Sequence, residues 1–503
     1  MHYLGTIVKR EFLSNISTSR FSIGLILCLV SISIATYVQV DDYDKRLQAY
    51  DTALNSNKAE VDKWDVYVKI NPKAARMPNQ LSIFSQGVDK QAADIVSIEL
   101  SELPWDGTTQ KMGSDNPFMG IFLSIDVIFV FQVMMSLLAI LFAYDAVSGE
   151  RENGTLKLML SNAVPRYAIL LGKYLGGMLS LIPPLVIGFF VALLIVQISP
   201  YMSFNKVDML RIALIFAISL LYVSCCYLLG LFLSARTRQA ATTLIIAMFV
   251  WVNLTIVYPN AAEFMVRKFP PYKPDPGYMQ RVNQIWDEFK KERDDYLKIR
   301  GCDDVWDAPR GIVVGQGTTT GYSAYVPYGK SLRFREHYRF AKIIMEESDF
   351  SFFHRFLAYQ EPLRIQYADR VGQIIREIEA VDKRTDGLIR NLSRVSSASA
   401  YDGATTALAG TDMESYYDFM DQARQYRREI IQYVTDKNAF SSLQWYYSGE
   451  GKADFTGMPI FQQRRPRIPV GLERALLDIF ILFVWNVIFF MGAYLSFLIY
   501  DVR

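Results

Sequence analysis

The chain has few residues able to make or break bonds. Of its 503 residues only 3 are His and 4 are Cys, and neither a CxxC nor an HExxH string occurs. No metal site is therefore expected. Cys28, Cys225 and Cys226 lie in apolar runs, where a thiol behaves as a small hydrophobe, and Cys302 stands by itself in a polar stretch. The string nearest to a phosphate-binding loop is Tyr328-Gly329-Lys330-Ser331. Such a loop needs Gly five residues before Gly329, and that position is Ala324. No ATP site and no catalytic residue is expected in this chain. The chemistry that remains is a run of charge and glycine between two apolar stretches: Ser148, Gly149, Glu150, Arg151, Glu152, Asn153, Gly154 and Thr155, leading into Leu156, Leu158, Met159 and Leu160. Such a segment can lie as a short helix at a membrane surface. Its charges can pair with a partner there, transmitting force without reacting. Glu150 and Glu152 suit acceptors of basic or amide groups, and Gly154 lets backbones approach closely.

Six apolar runs must position that segment. They cover residues 21–40, 119–144, 167–198, 210–235, 240–258 and 475–500. A run of about 20 residues spans the hydrocarbon core of a bilayer. Each must be helical, because backbone groups in lipid have no water to bond. The first run lacks a small-residue cleavage site and reads as a retained span. Before it, residues 1–20 form an amphipathic interfacial helix, with Leu4, Ile7, Val8, Phe12 and Ile16 at helical spacing and Lys9, Arg10 and Glu11 between them. Lys9, Arg10, Arg20, Arg151, Lys157, Arg166, Arg236 and Arg238 all fall on one face of the six-span arrangement. The positive-inside rule makes that face cytoplasmic, with both termini and the loop 145–166. The fold class is an α-helical integral membrane protein with a large, mainly helical (α or α+β) extracytoplasmic domain.

That domain is drawn from residues 41–118 and 259–474. The second piece begins with a stiff Pro-rich strip, Pro270 to Pro276. Residues 361–395 carry an apolar seam, Val371, Ile374, Ile378, Val381, Leu388 and Leu392, in steps of three and four. A small-residue linker, 396–410, then leads to a second amphipathic helix near Asp412. An antiparallel pair of these helices, or pairing of the long helix between subunits, would cover the seam. Hydrophobic residues make up 51% of the chain and charged residues 21%, with a formal charge of +2. That balance suits membrane lipid and excludes nucleic acid, whose binding rests on neutralising phosphates.

Polar groups within the spans are few. Asp126 lies about two turns inside the second span, where a charge is costly, so it should face protein, water or the boundary. Gln132, Asn253 and Asn486 suit hydrogen bonds across helices. Pro183-Pro184 should break and kink the third span, giving a helix that can rock. Asp126, Pro183 and Pro184 are thus candidates for a pathway or for helix gating.

Ser148-Gly149-Glu150-Arg151-Glu152, Gly154-Thr155-Leu156, Pro165-Arg166 and Leu171-Gly172-Lys173 together resemble the signature loop of type-2 ATP-binding-cassette (ABC-2) permeases. The late insert, with Ala409-Gly410-Thr411 before a helix, is similar to that of a subgroup with a large domain between the fifth and sixth spans. The resemblance implies an exporter subunit of the bacterial inner membrane. A separate ABC ATPase would bind ATP and Mg, and this chain would hold no cofactor. A second permease subunit, identical or paralogous, would complete the complex, and an accessory protein could dock outside. Glu150, Arg151, Glu152, Gly154, Thr155, Leu156 and Lys173 would couple the ATPase to the spans. The cargo would be lipid-like, peptide or otherwise amphipathic. An alternative is an ATPase-driven mechanical or scaffold protein of the envelope without cargo. The chain stops directly after the sixth span, so no fused ATPase is expected.

Overall fold

Every apolar run is helical in the computed structural model, which describes residues 2–90, 94–105, 109–110, 125–156, 159, 165–273, 275–299, 322–323, 337–338, 347–445 and 451–499. Six helices are long and apolar enough to cross a membrane. The chain is a multi-pass helical membrane protein with a second, mainly helical body at one end of the bundle. Helix α1 (His2–Ile16) runs into α2 (Ser19–Val61) through a turn in which the Thr18 hydroxyl donates to the Asn15 carbonyl at 2.7 Å. Next come α3 (residues 127–143), the short α4 (Ser148–Glu152), α5 (Arg166–Ile198), α6 (Lys206–Arg236) and α7 (Ala240–Lys268). The last span is α12 (Ile468–Leu498). Helix α6 is the central post, packed against α3, α5, α7 and α12. Its start is fixed by a capping box: the Asn205 side chain accepts from Asp208 N–H at 2.8 Å, and the Asp208 carboxylate accepts from Asn205 N–H.

The distal body contains α8 (Tyr278–Ile299), α9 (Glu347–Ser393) and α11 (Met413–Asp436). It also holds an antiparallel sheet of β1 (Lys73–Ala75), β2 (Ile95–Ser97) and β3 (Thr109–Gln110), with Lys73 opposite Ser97 and Ile95 opposite Gln110. A separate pair, β4 (Tyr322–Ser323) and β5 (His337–Tyr338), is also antiparallel. Tyr416, Phe419, Ile430 and Val434 of α11 close one apolar core with Tyr67, Val96 and Trp445.

Several elements differ from the sequence reading. The first helix does not end at residue 40 but continues to Val61. Charge at Asp41, Asp42 and Asp44 ends an apolar run without ending a helix, and no Gly or Pro occurs between Asp41 and Val61. Asp126 is not two turns inside its span. It caps the span's first turn, accepting from Phe129 N–H at 2.6 Å, and residues 119–124 lie outside the described residues. Pro183 and Pro184 do not break α5, whose helix runs through both. Proline's fixed φ is itself helical, so the loss is confined to two backbone hydrogen bonds. Helix α7 continues past Pro259 to Lys268 after a π-turn at Asn253–Val257. The first part of the α9 seam is covered by α8 and not by α11: Val371, Ile374 and the neighbouring Ile375 pack on Val282, Trp286 and Phe289.

The largest departure concerns residues 396–410. They are a helix, α10 (Ser397–Ala409), and it is buried between α6 and α12 inside the bundle. Ser396 Oγ accepts from the N–H groups of Ala398 and Ser399 to start it, and Gly410, at φ +71°, ends it in the left-handed conformation. Small residues here serve close packing: a Cβ on Gly471 of α12 would lie 2.9 Å from the Ala407 carbonyl oxygen. Tyr401 stacks on Tyr222 with ring centroids 4.5 Å apart, and its hydroxyl is 2.7 Å from Ser219 Oγ.

Candidate functional site

Helix α4 is short, and its polar groups are turned onto α5, α6 and the start of α7. The N–H groups of Val147 and Ser148 both donate to Ser234 Oγ of α6 at 3.0 Å. Arg151 donates to the carbonyls of Thr237 at 2.7 Å and Ala235 at 3.0 Å. These belong to the C-terminal end of α6, where carbonyls lack helical partners and a cation is favoured. Glu152 accepts from Ala240 N–H at 3.1 Å, the first residue of α7, and so places a carboxylate at a helix N-terminus. Glu150 faces inward: its Oε1 lies 2.9 Å from Lys173 Nζ of α5, and Glu11 Oε1 of α1 lies 2.6 Å from the same ammonium. Lys173 is only 1% exposed, so two carboxylates flank one buried cation.

Glycines let this triad assemble. On α5, a Cβ at Gly172 would lie 2.7 Å from Ile7 Cγ2, and one at Gly176 would lie 2.6 Å from Glu11 Cβ. The two glycines, one turn apart, form the groove that seats α1. Tyr227 of α6 lies over Gly177 and donates to the Lys173 carbonyl at 3.0 Å. Arg166, at the start of α5, donates to the carbonyls of Phe497 and Leu498 at the end of α12. The N-terminal helix, α4 and the end of the last span therefore share one end of the bundle.

The sequence-derived residues fall into two groups. Glu150, Arg151, Glu152 and Lys173 come together on intramolecular partners: Glu150 is drawn inward to Lys173, while Glu152 stays exposed and gives one oxygen to the start of α7. Gly154 has φ +73° with nothing within 4 Å of an added Cβ, so it is required by backbone conformation and not by close approach. The Thr155 hydroxyl donates to the Glu150 carbonyl at 3.3 Å, and Leu156 is fully buried. Lys157, Leu158 and Leu160 lie outside the described residues. Asp126 is at the opposite end of the bundle, and Pro183 and Pro184 lie partway along α5, so none of these three meets the charged loop. Ser234 was not singled out, Glu11 was named only among the charges of the first helix, and Arg166 only for its charge and its place in the loop pattern. Glu11 did carry a signal, since it follows Leu4 by seven residues and Ile7 by four and so falls on the apolar stripe of α1. Among the described residues no group of three His, Cys, Asp or Glu could hold a metal ion.

Residues 5–297 match the family described as ABC-2 family transporter protein. The chain belongs to the ABC-2 transporter family. Residues 342–463, which take in all of α9, α10 and α11, match a second family, described as a domain of unknown function (DUF3526). A stretch of 56 residues is 50% identical to the probable ABC transporter permease protein NosY of Pseudomonas aeruginosa, and equally to the protein of that name from Stutzerimonas stutzeri. The stretch covers 11% of this chain and 20% of each relative. This ABC-2 permease thus joins the family's span arrangement to a distal body that sends one helix, α10, back into the bundle.

Proposed function

We propose that this ABC-2 permease is the membrane subunit of an ATP-driven exporter, with a separate ABC ATPase bound at the end that carries α4. Membership of the family supports the ATPase partner. The observation that carries the coupling role is the set of bonds from α4 to α5, α6 and the start of α7, with α1 joined to it through Lys173. A push on α4 reaches four helices through short polar contacts, which a loop that merely joins two spans would not need. Lys9, Arg10, Arg20, Arg151, Arg166, Arg236 and Arg238 gather at that end, and the positive-inside rule makes it cytoplasmic, with both termini, in the bacterial inner membrane. The distal body then lies outside. Two permease subunits, identical or paralogous, would meet through their spans above two ATPases, which hold the ATP and Mg. Cargo transport is favoured over a purely mechanical role by a polar cavity between the distal body and the spans.

The test is reconstitution. The permease is purified with the ATPase that accompanies it, and hydrolysis is measured with wild type and with Arg151→Ala. Arg151→Ala removes the two side-chain bonds from α4 to the last carbonyls of α6 while leaving the Ser234 bonds and the Lys173 triad in place. The expected result is an intact complex whose hydrolysis no longer responds to assembly. A purified permease that never brings a nucleotide hydrolase, or an Arg151→Ala complex coupled as well as wild type, overturns the reading.

A further inference from the structure

A cavity of about 830 Å³ lies at the distal end between α3, α7, α9, α10 and the start of α11. Its size falls within the range of small-molecule sites, about 300–1,000 Å³. Six carboxylates line it, from Asp126, Glu263, Asp386, Asp402, Asp412 and Glu414, against two guanidiniums, Arg267 and Arg390. Both guanidiniums are already committed. Arg267 pairs with Glu263 at 2.8 Å, and Arg390 pairs with Asp478 of α12 at 2.8 Å. Asp126 receives two backbone N–H groups, from Gln86 and Phe129, and no cation. The Asp402 carboxylate, on the inserted helix α10, has no hydrogen bond or ion pair among the described residues. Asp402 and Asp126 line the same cavity.

The lining also carries Phe129, Ile389, Met413 and Tyr416, interleaved with polar groups such as Gln86, Gln132 and Asn260. The two spans beside the cavity each carry a π-turn, Phe131–Met135 in α3 and Asn253–Val257 in α7. Such turns are rare and gather at functional sites. Gln132, on the first of them, lines the cavity. The carboxylates are too dispersed to chelate a metal ion. An unbalanced negative field over an apolar floor instead suits one organic cation with hydrophobic bulk.

We propose that this cavity is the permease's cargo vestibule and that its cargo is an amphipathic organic cation, its charge held between Asp126 and Asp402 and its apolar part against Phe129, Ile389 and Met413. This rests on the exporter reading and specifies its substrate class. The probe is tetraphenylphosphonium, with tetraphenylborate as an anion of the same shape, each measured on the full chain in lipid nanodiscs against empty nanodiscs. Saturable binding of the cation and none of the anion is expected. Asp402→Asn should weaken the cation about tenfold, the effect of removing one partly screened charge. Asp126→Asn, which still caps its helix, should weaken it similarly. Asp436→Asn, a remote exposed acid, should change nothing. Equal binding of both ions, or Asp402→Asn binding as tightly as wild type at an unchanged thermal midpoint, overturns the proposal. Cation binding without ATPase coupling removes the exporter reading and keeps the site; coupling without cation binding does the reverse.

Discussion

Lys173→Met should be the most damaging single change at the coupling end. The ammonium is 1% exposed, and the side chains of Glu11 and Glu150 that flank it are each 16% exposed. Methionine fits the volume but removes the only charge that offsets two buried carboxylates. Breaking a buried ionic group from one side costs about 3–5 kcal/mol, because the charge left behind has lost its water and its partner. With two carboxylates left facing each other, the upper part of that range applies. Glu150→Gln is the contrasting change. It leaves Lys173 paired with Glu11 and keeps an acceptor on α4, so it should cost about 1 kcal/mol. The triple variant Lys173→Met, Glu11→Gln and Glu150→Gln leaves no buried charge and should recover most of the loss.

Unfolding midpoints of the purified protein in one detergent, followed by tryptophan fluorescence, rank the three variants. Limited proteolysis near residues 17–18 adds a local readout, because α1 should detach first when its Glu11 anchor is lost. If Lys173→Met loses less than about 1 kcal/mol, as an exposed pair would, the triad is not a buried anchor. A triple variant no better than the single would also refute the reasoning, since the damage would then come from packing and not from stranded charge.

Gly177→Ala should cost about 1–3 kcal/mol by overpacking, since the new Cβ would lie 2.1 Å from Tyr227 Cζ and that ring is fully buried; thermal unfolding checks it, and an unchanged midpoint would contradict the packing seen. Tyr401→Phe keeps the stacked ring on Tyr222 and loses only the bond to Ser219, about 0.5–1.5 kcal/mol, whereas Tyr401→Ala should cost about 3–5 kcal/mol; equal losses would mean that α10 is not held by that ring. In the distal body, burial pushes the Asp89 carboxyl up, but the Arg76 and Arg46 guanidiniums outweigh it and leave the group below the usual carboxylate range. A value lower in the folded than in the unfolded chain gives stability that is complete above about pH 4 and lost as pH falls through the folded value. Unfolding of the wild type should therefore steepen on acidification below about pH 4, Asp89→Asn should flatten that dependence, and equal slopes would refute it.

The spans were legible because period and length alone decide them: nothing but a helix can carry twenty apolar residues through lipid. The charged loop was legible as a constellation but not in its partners. Glu150 and Glu152 look like open acceptors in one dimension, and only packing shows Lys173 drawing Glu150 inward and the start of α7 bonding one oxygen of Glu152. Helix α10 was misread for a physical reason. Ala, Ser, Thr and Gly are as common in linkers as at tight helix contacts, and which of the two applies depends on neighbours sixty to two hundred residues away. Its caps, Ser396 and Gly410, were visible and argued for a helix, but the low hydrophobicity of the stretch outweighed them. Of the cavity acids only Asp126 carried a signal, as a charge beside an apolar run; the others come from four further segments and meet it only once α9 and α10 are in place.

Helix α6 then links the two ends of the molecule. At one end α4 holds it through Ser234 and through the carbonyls of Ala235 and Thr237. Toward the other, Ser219 bonds Tyr401, and Arg211 donates to the Leu408 carbonyl, both on α10. Ser219 and Ser234 are fifteen residues apart, about 22 Å along a helix. A packed helix of that length tilts as a body, because close-packed interiors resist local compression. A displacement of α4 by a partner would therefore reach α10, which carries Asp402 at the cavity wall, with no need for the span to bend at Pro183-Pro184. Helix α6 thus offers a direct packed connection between the coupling end and the inserted helix α10.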